Sequence, residues 1–149
     1  MHCFIFKRQP KSYNSGFKSD LSKQLYTDAL ILALNQFNTI SSPFEEDLYG
    51  IVYHFYKKNV GIDADNLSKP LWDLLKGIMF KDDKQIKLRI AGSIDISSGD
   101  FSVFDFSNLK GEVTAELIEA FDTQDHFLYV ECGKLKNGMF KFNIEDYGN

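Results

Sequence analysis

The sequence predicts an α+β fold, a mixed β-sheet with packed helices. One observation is an aliphatic stripe at helical spacing between Asp20 and Phe37. Another is a pair of strand-like runs, Leu48 to Lys58 and Gln85 to about Ile96, that flank a short helical segment. The last is the element order, a β-α-β-α-β core with a C-terminal α-β extension. A chain of 149 residues, 44% hydrophobic, can bury a substantial core and is read as a single domain spanning residues 1–149.

Cys3-Phe4-Ile5-Phe6 reads as a first strand, stopped by Pro10 and a turn-rich loop through Gly16. Asp20 is placed to cap the helix that follows. Leu21, Leu25, Ala29, Leu32 and Leu30, Leu34, Phe37 recur every three or four residues and are read as core, and Asn38 to Pro43 ends the run. In the second strand Tyr49, Ile51, Tyr53 and Phe55 share one face, with Val52, His54 and Tyr56 on the other. The next helix runs to Lys76 and closes at Gly77, with Asp65 or Asn66 as its cap and Pro70 near its first turn. Trp72 is read as a core or dimer contact. The third strand turns Ile86, Leu88 and Ile90 inward, and a strand–helix–strand unit of this length is expected to cross over right-handed. A helix from Gly111 or Glu112 to Phe121 and a strand from Phe127 to Glu131 follow. Asn137-Gly138 then signals a hairpin into a last short strand, Met139 to Ile144.

Composition narrows the chemistry. Cys3 and Cys132 have no metal-ligand spacing and form no disulfide framework. His2, His54 and His126 are scattered, which argues against zinc. No apolar run approaches the ~20 residues of a membrane span. The N-terminal apolar stretch is too short for a signal peptide, with its charge on the wrong side. The expectation is a soluble cytoplasmic protein in a reducing compartment, with no membrane partner. The net charge of −4 divides unevenly. Residues 1–90 hold 13 Lys+Arg against 10 Asp+Glu, and residues 91–149 hold 4 against 11. Basic residues, among them Lys7, Arg8, Lys11, Lys81 and Lys84, thus surround the acidic motif and are candidates for DNA phosphate contacts.

That motif is Asp63-Ala-Asp65-Asn66-Leu-Ser-Lys69-Pro70, followed by Asp73, Gly77 and Asp82-Asp83-Lys84-Gln85-Ile86. Two carboxylates one residue apart at a strand end would point the same way, and a crossover would return Asp83 towards them. Carboxylate oxygens are hard ligands that suit Mg²⁺, which keeps room for water and substrate phosphate. Lys69 supplies a point charge for a phosphate or a developing oxyanion. Together they point to metal-dependent attack on a phosphodiester. Helical spacing also puts Asp65, Lys69 and Asp73 on one face, so the same residues fit a solvated helix start with ion pairs.

The motif resembles the signature of the RusA family of Holliday junction resolvases. The loop Pro10-Lys-Ser12-Tyr13-Asn14 is similar to that family's N-terminal loop. The resemblance covers about residues 3–96 and implies a homodimeric, Mg²⁺-dependent endonuclease, with Mn²⁺ as a substitute, that cuts four-way DNA junctions in recombination and repair. By position it implies Asp63, Asp65 and Asp83 as metal ligands and Lys69 as the essential base or phosphate-contacting cation. Asp82, Asn66 and Asp73 would stand behind them in supporting roles. The acidic region after Ser97 is longer than the family's usual end. The alternative is a non-catalytic junction- or nucleic-acid-binding assembly protein that retains the fold.

Overall fold

The computed structural model describes residues 1–11 and 16–146. Its elements are β1 (His2–Phe6), α1 (Asp20–Phe37), β2 (Leu48–Tyr56), α2 (Ser68–Leu75), β3 (Ile86–Asp95), α3 (Gly111–Thr123) and β4 (His126–Lys134). This is the α+β order expected from the sequence. The four strands form one mixed sheet in the order β1-β4-β2-β3. β2 and β3 run parallel, while β4 is antiparallel to both of its neighbours.

Period-two alternation in β2 divides the core in two. Leu48 and Val52 meet Leu30 and Leu34 of α1 and Leu71, Trp72 and Leu75 of α2. Ile51, Tyr53 and Phe55 face the other way, towards Val113, Leu117, Ala120 and Phe121 of α3. The faces read from the sequence therefore hold. Cys3 packs on the α3 side and Cys132 on the α1 side, so the sheet itself separates the two free thiols.

Trp72 shows how tightly α2 is seated. The ring is fully buried, and a Cβ at Gly50 would lie 2.6 Å from it. Glycine at position 50 is thus what lets the indole reach the β2 backbone. Trp72 belongs to the core.

Four local expectations are corrected. Ser19, not Asp20, caps α1: its hydroxyl accepts from the Ser22 backbone N–H while the Ser22 hydroxyl accepts from the Ser19 N–H, both at 3.1 Å. Asp20 then lies in the first turn, where its charge favours the helix dipole. Neither Asp65 nor Asn66 caps α2, whose cap position is Leu67 and carries no side-chain bond. Leu48 pairs with Ile86 but Tyr49 with Leu88, so Lys87 is an inserted residue, a β-bulge. One extra residue moves every later side chain to the opposite face. Ile86 is buried beneath α2, whereas Leu88 and Ile90 turn to the α3 side, and Ile90 is 39% exposed. Finally, Met139 to Ile144 is not a strand: Asn137-Gly138 forms a turn, and a 3-10 turn spans Ile144–Asp146.

Among the described residues, His54 is the one buried polar side chain in the core, 1% exposed. Its Nε2 lies 3.4 Å from His126 Nδ1, and its Nδ1 has no partner. Burial, then the neighbouring His126, lower its pKa from 6.5 to about 4. The unfolded chain therefore binds more protons than the folded one between those values. Stability should be complete above pH 6.5 and decline as the pH falls towards 4. Thermal melts across that window should show the slope, and His54→Gln should flatten it.

Candidate active site

The acidic motif lies on the α1/α2 side of the sheet, beyond the end of β2. It is not at the strand end itself. β2 stops at Tyr56, and Asp63 begins a 3-10 turn, Ala64–Asn66, that packs against β3. Core contacts hold both flanks of this turn. Ile62 packs on the α1/α2 core before it, and Leu67 is buried in that core after it. Between these anchors the Asn66 N–H donates to the Asp63 carbonyl at 3.0 Å, and Asp63 and Asp65 remain exposed. A helical turn rather than a strand thus sets their relative direction. The Asp63 carboxylate makes no capping bond to the turn it begins.

In the first turn of α2, Lys69 Nζ reaches the Asp73 carboxylate at 3.2 and 3.3 Å. This is an exposed i, i+4 pair, a class that contributes about 0.3–0.5 kcal/mol. It therefore positions the ammonium more than it stabilises the helix. Leu71, Trp72 and Leu75 bury the opposite face of α2, which fixes the side from which Lys69 projects. After α2, Gly77 takes φ +82°, a left-handed value suited to glycine, and turns the chain towards Asp82.

The two acids of the second pair have different surroundings. The Asp82 carboxylate accepts from the Lys84 backbone N–H at 3.0 Å, and the Asp82 N–H donates to the Gln85 side chain at 2.8 Å. The Lys84 N–H is the main reason that the Asp82 carboxyl titrates below the usual range, with Lys76 Nζ 4.0 Å away adding to it. Gln85 also donates to the carbonyls of Phe44 and Glu46, at 2.9 Å each, and so ties the turn to the strand preceding loop. Asp83 is held differently. Arg89 Nη2 donates to its carbonyl at 2.8 Å and to its carboxylate at 3.4 Å. Asp82 is thus a structural cap, and Asp83 is the acid whose carboxylate meets a guanidinium.

Arg89 sits on β3 opposite Gly50, on the same sheet face as α2 and the acidic turn. Sequence reasoning counted it only among the 13 Lys and Arg of residues 1–90. The bulge at Lys87 is what turns it to this face, and no side-chain pattern announces that bulge.

The basic residues divide by location. Pro10 and Lys11 line a small cleft with Tyr26, Leu67, Pro70 and Leu74, next to the acidic turn. Lys11 Nζ lies 5.3 Å from the Phe17 ring centroid. Lys81 pairs with Glu45 at 2.5 Å, and Arg8 and Lys84 are exposed. Lys7 instead lies on the α3 side, bonded to Glu116 at 2.7 Å. Ser12, Tyr13 and Asn14 of the N-terminal loop fall outside the described residues.

Among the described residues, no three His, Cys, Asp or Glu side chains converge on one point that could hold a metal ion. The structure brings Asp63 and Asp65 onto one turn and joins Asp83 to Arg89. The donor set still suits Mg²⁺, which is commonly bound through one or two carboxylates plus substrate phosphates rather than an all-protein cage. Asp63 and Asp65 are hard, solvent-facing oxygen donors of that type.

No curated protein matches the chain. The description "Endodeoxyribonuclease RusA" does match, over residues 18–98, more than half of the 149. The matched span runs from the start of α1 through β3 and contains the acidic turn, Lys69 and the Asp83–Arg89 pair. The chain therefore belongs to the RusA family of endodeoxyribonucleases.

Proposed function

We propose that this protein is a Mg²⁺-dependent endonuclease of four-way DNA junctions, acting as a cytoplasmic homodimer in recombination and repair. The observation that carries this reading is the exposed Asp63–Asp65 turn, anchored at both ends by Ile62 and Leu67 and followed one helical turn later by Lys69. Asp63 and Asp65 would hold the metal with Asp83, and Mn²⁺ would substitute for Mg²⁺. When bound, such a metal polarises the phosphodiester and provides an activated water.

The chain's own residues have distinct tasks. Lys69, oriented by Asp73, meets the negative charge that develops on the phosphate. Arg89 orients Asp83 through its carbonyl and carboxylate. Lys11, Lys81, Lys84 and Arg8 meet flanking phosphates, while Asn66 and Asp82 hold the two turns in shape. Lys7, bonded to α3, is the least suited of the basic residues to a strand lying at the acidic turn. A junction presents two equivalent strands, and a homodimer presents two equivalent sites.

Paired nicks confined to the centre of a labelled four-way junction, requiring Mg²⁺ or Mn²⁺ and absent in EDTA, are the expected result. A junction gel shift with no cleavage under either metal would instead identify a non-catalytic binding protein. Arg89→Gln should reduce cleavage by about 10–100-fold, the usual effect of losing a group that orients a metal ligand. Part of that loss should be recovered at raised Mg²⁺, as a titration of rate against metal would show.

A further inference from the structure

The α3 side of the sheet holds a cavity of about 630 Å³ that the acidic motif does not use, bounded by the strands and by the loop joining β3 to α3. Tyr53 of β2 and Tyr129 of β4 line it from the sheet, their rings nearly parallel with centroids 6.1 Å apart. The loop contributes Phe104 and Phe106. A Cβ at Gly92 would lie 2.9 Å from the Tyr53 ring, so glycine there gives that ring its place over β3.

The charge in this cavity has one sign. Glu131 and Asp105 carry the only charged side chains among the described residues that line it. Glu131 is half-buried, and each of its carboxylate oxygens accepts one phenol, from Tyr49 at 2.6 Å and from Tyr129. Burial first, and then Glu131 itself, push the pKa of both phenols up, so they stay protonated donors. Each oxygen keeps a further lone pair for another donor. Asp105 is exposed on the loop, where its carboxylate accepts from the Ser107 N–H at 2.9 Å. Among the described residues neither carboxylate forms an ion pair. A carboxylate held under aromatic rings without a counter-charge is costly, and a bound cation offsets that cost.

We propose that this cavity binds a hydrophobic organic cation, with an ammonium group against Glu131 and an aromatic or aliphatic body among the four rings. The volume is that of a small-molecule site, apolar with a few placed polar groups. Aromatic rings attract an ammonium through their faces, which adds to the pull of the carboxylate. A ligand carrying phosphate or carboxylate would meet like charge, so the cavity is no extension of a DNA surface. It lies across the sheet from the acidic turn. The inference is thus independent of the nuclease reading, because its test measures binding and not cleavage.

Titration of the full ¹⁵N-labelled chain with benzyltrimethylammonium should give saturable shifts at the amides of Tyr53, Gly92, Phe104 and Glu131. Benzyl alcohol and benzoate, the neutral and anionic counterparts, should bind more weakly by roughly 10-fold or more. Glu131→Gln removes the charge at nearly constant size. It should weaken the cation by roughly 10-fold and leave benzyl alcohol unchanged. If that variant does not fold, Val103→Lys decides. Val103 lines the cavity yet is 80% exposed, so the change spares the core, and its ammonium should weaken the probe to a similar degree. Equal affinity for the three probes, no saturable shifts at these amides, or unchanged cation affinity in a folded variant would overturn the proposal.

Discussion

Asp65→Asn should abolish junction cleavage and leave the fold unchanged. The substitution keeps the shape of the side chain and removes its charge, and the carboxamide is a far poorer ligand for a hard cation. Losing a group that merely orients a metal ligand costs 10–100-fold, so loss of a ligand should exceed roughly 100-fold. Stability should move by no more than about 0.5 kcal/mol, because Asp65 is exposed on a turn whose hold on the core comes from Ile62 and Leu67. A cleavage time course paired with a thermal melt separates the two effects. Retained cleavage would remove the acidic turn from the site.

The second large effect is structural. Trp72→Ala should lower stability by about 3–5 kcal/mol, the range for removing a fully buried large aromatic side chain. For a domain of this size that corresponds to a fall in melting temperature of roughly 6–20 °C. Loss of the ring opens the space above Gly50 and beside Phe80, 6.2 Å away between centroids, where α2 is seated on the sheet. Because α2 carries Lys69 and continues from the acidic turn, cleavage should fall as well. Trp72→Phe should cost less than half as much: it keeps an aromatic ring and removes an indole N–H that is buried without a partner. A fall in activity at unchanged melting temperature in Trp72→Ala would contradict this account of the residue.

Much of the fold was legible in the sequence because several of its periodicities are also its cores. Leu30 and Leu34 of α1, the two faces of β2, and Leu71, Trp72 and Leu75 of α2 pack where their spacing places them, but the companion stripe of α1 does not: Leu21, Leu25 and Leu32 are exposed. Features that break period or depend on distant partners were not legible. The inserted Lys87 moves Leu88 and Ile90 away from Ile86 without any sequence signal, and it also creates the Arg89–Asp83 contact. Ser19 and Asp20 are both competent caps, and only the reciprocal bond with Ser22 selects between them. The alternation of Met139 to Ile144 is real, but among the described residues the segment takes no strand conformation and ends in a 3-10 turn.

The candidate site was legible as a set of residues and less so as a geometry. β2 and β3 run parallel, with Leu48 beside Ile86 and Tyr56 beside Asp95, so Asp83 precedes β3 at the sheet end where β2 begins and is not returned to the end of β2 as the crossover expectation had it. The acid pair also departs from that expectation, since it sits on a 3-10 turn and not in an extended strand. Asp82 and Asp83 are adjacent in sequence, yet one caps a turn and the other faces Arg89. Backbone hydrogen bonds settle that distinction, and they leave no trace in residue type.

The central claim is that Asp63, Asp65 and Asp83 serve one metal ion, and a titration of the ¹⁵N-labelled protein with substoichiometric Mn²⁺ tests it directly. Paramagnetic broadening confined to the amides of Asp63–Lys69 and Asp82–Arg89, reversed by excess Mg²⁺, is the predicted result. Broadening centred on the acidic residues of α3 or the C-terminal tail, with the acidic turn unaffected, would contradict it.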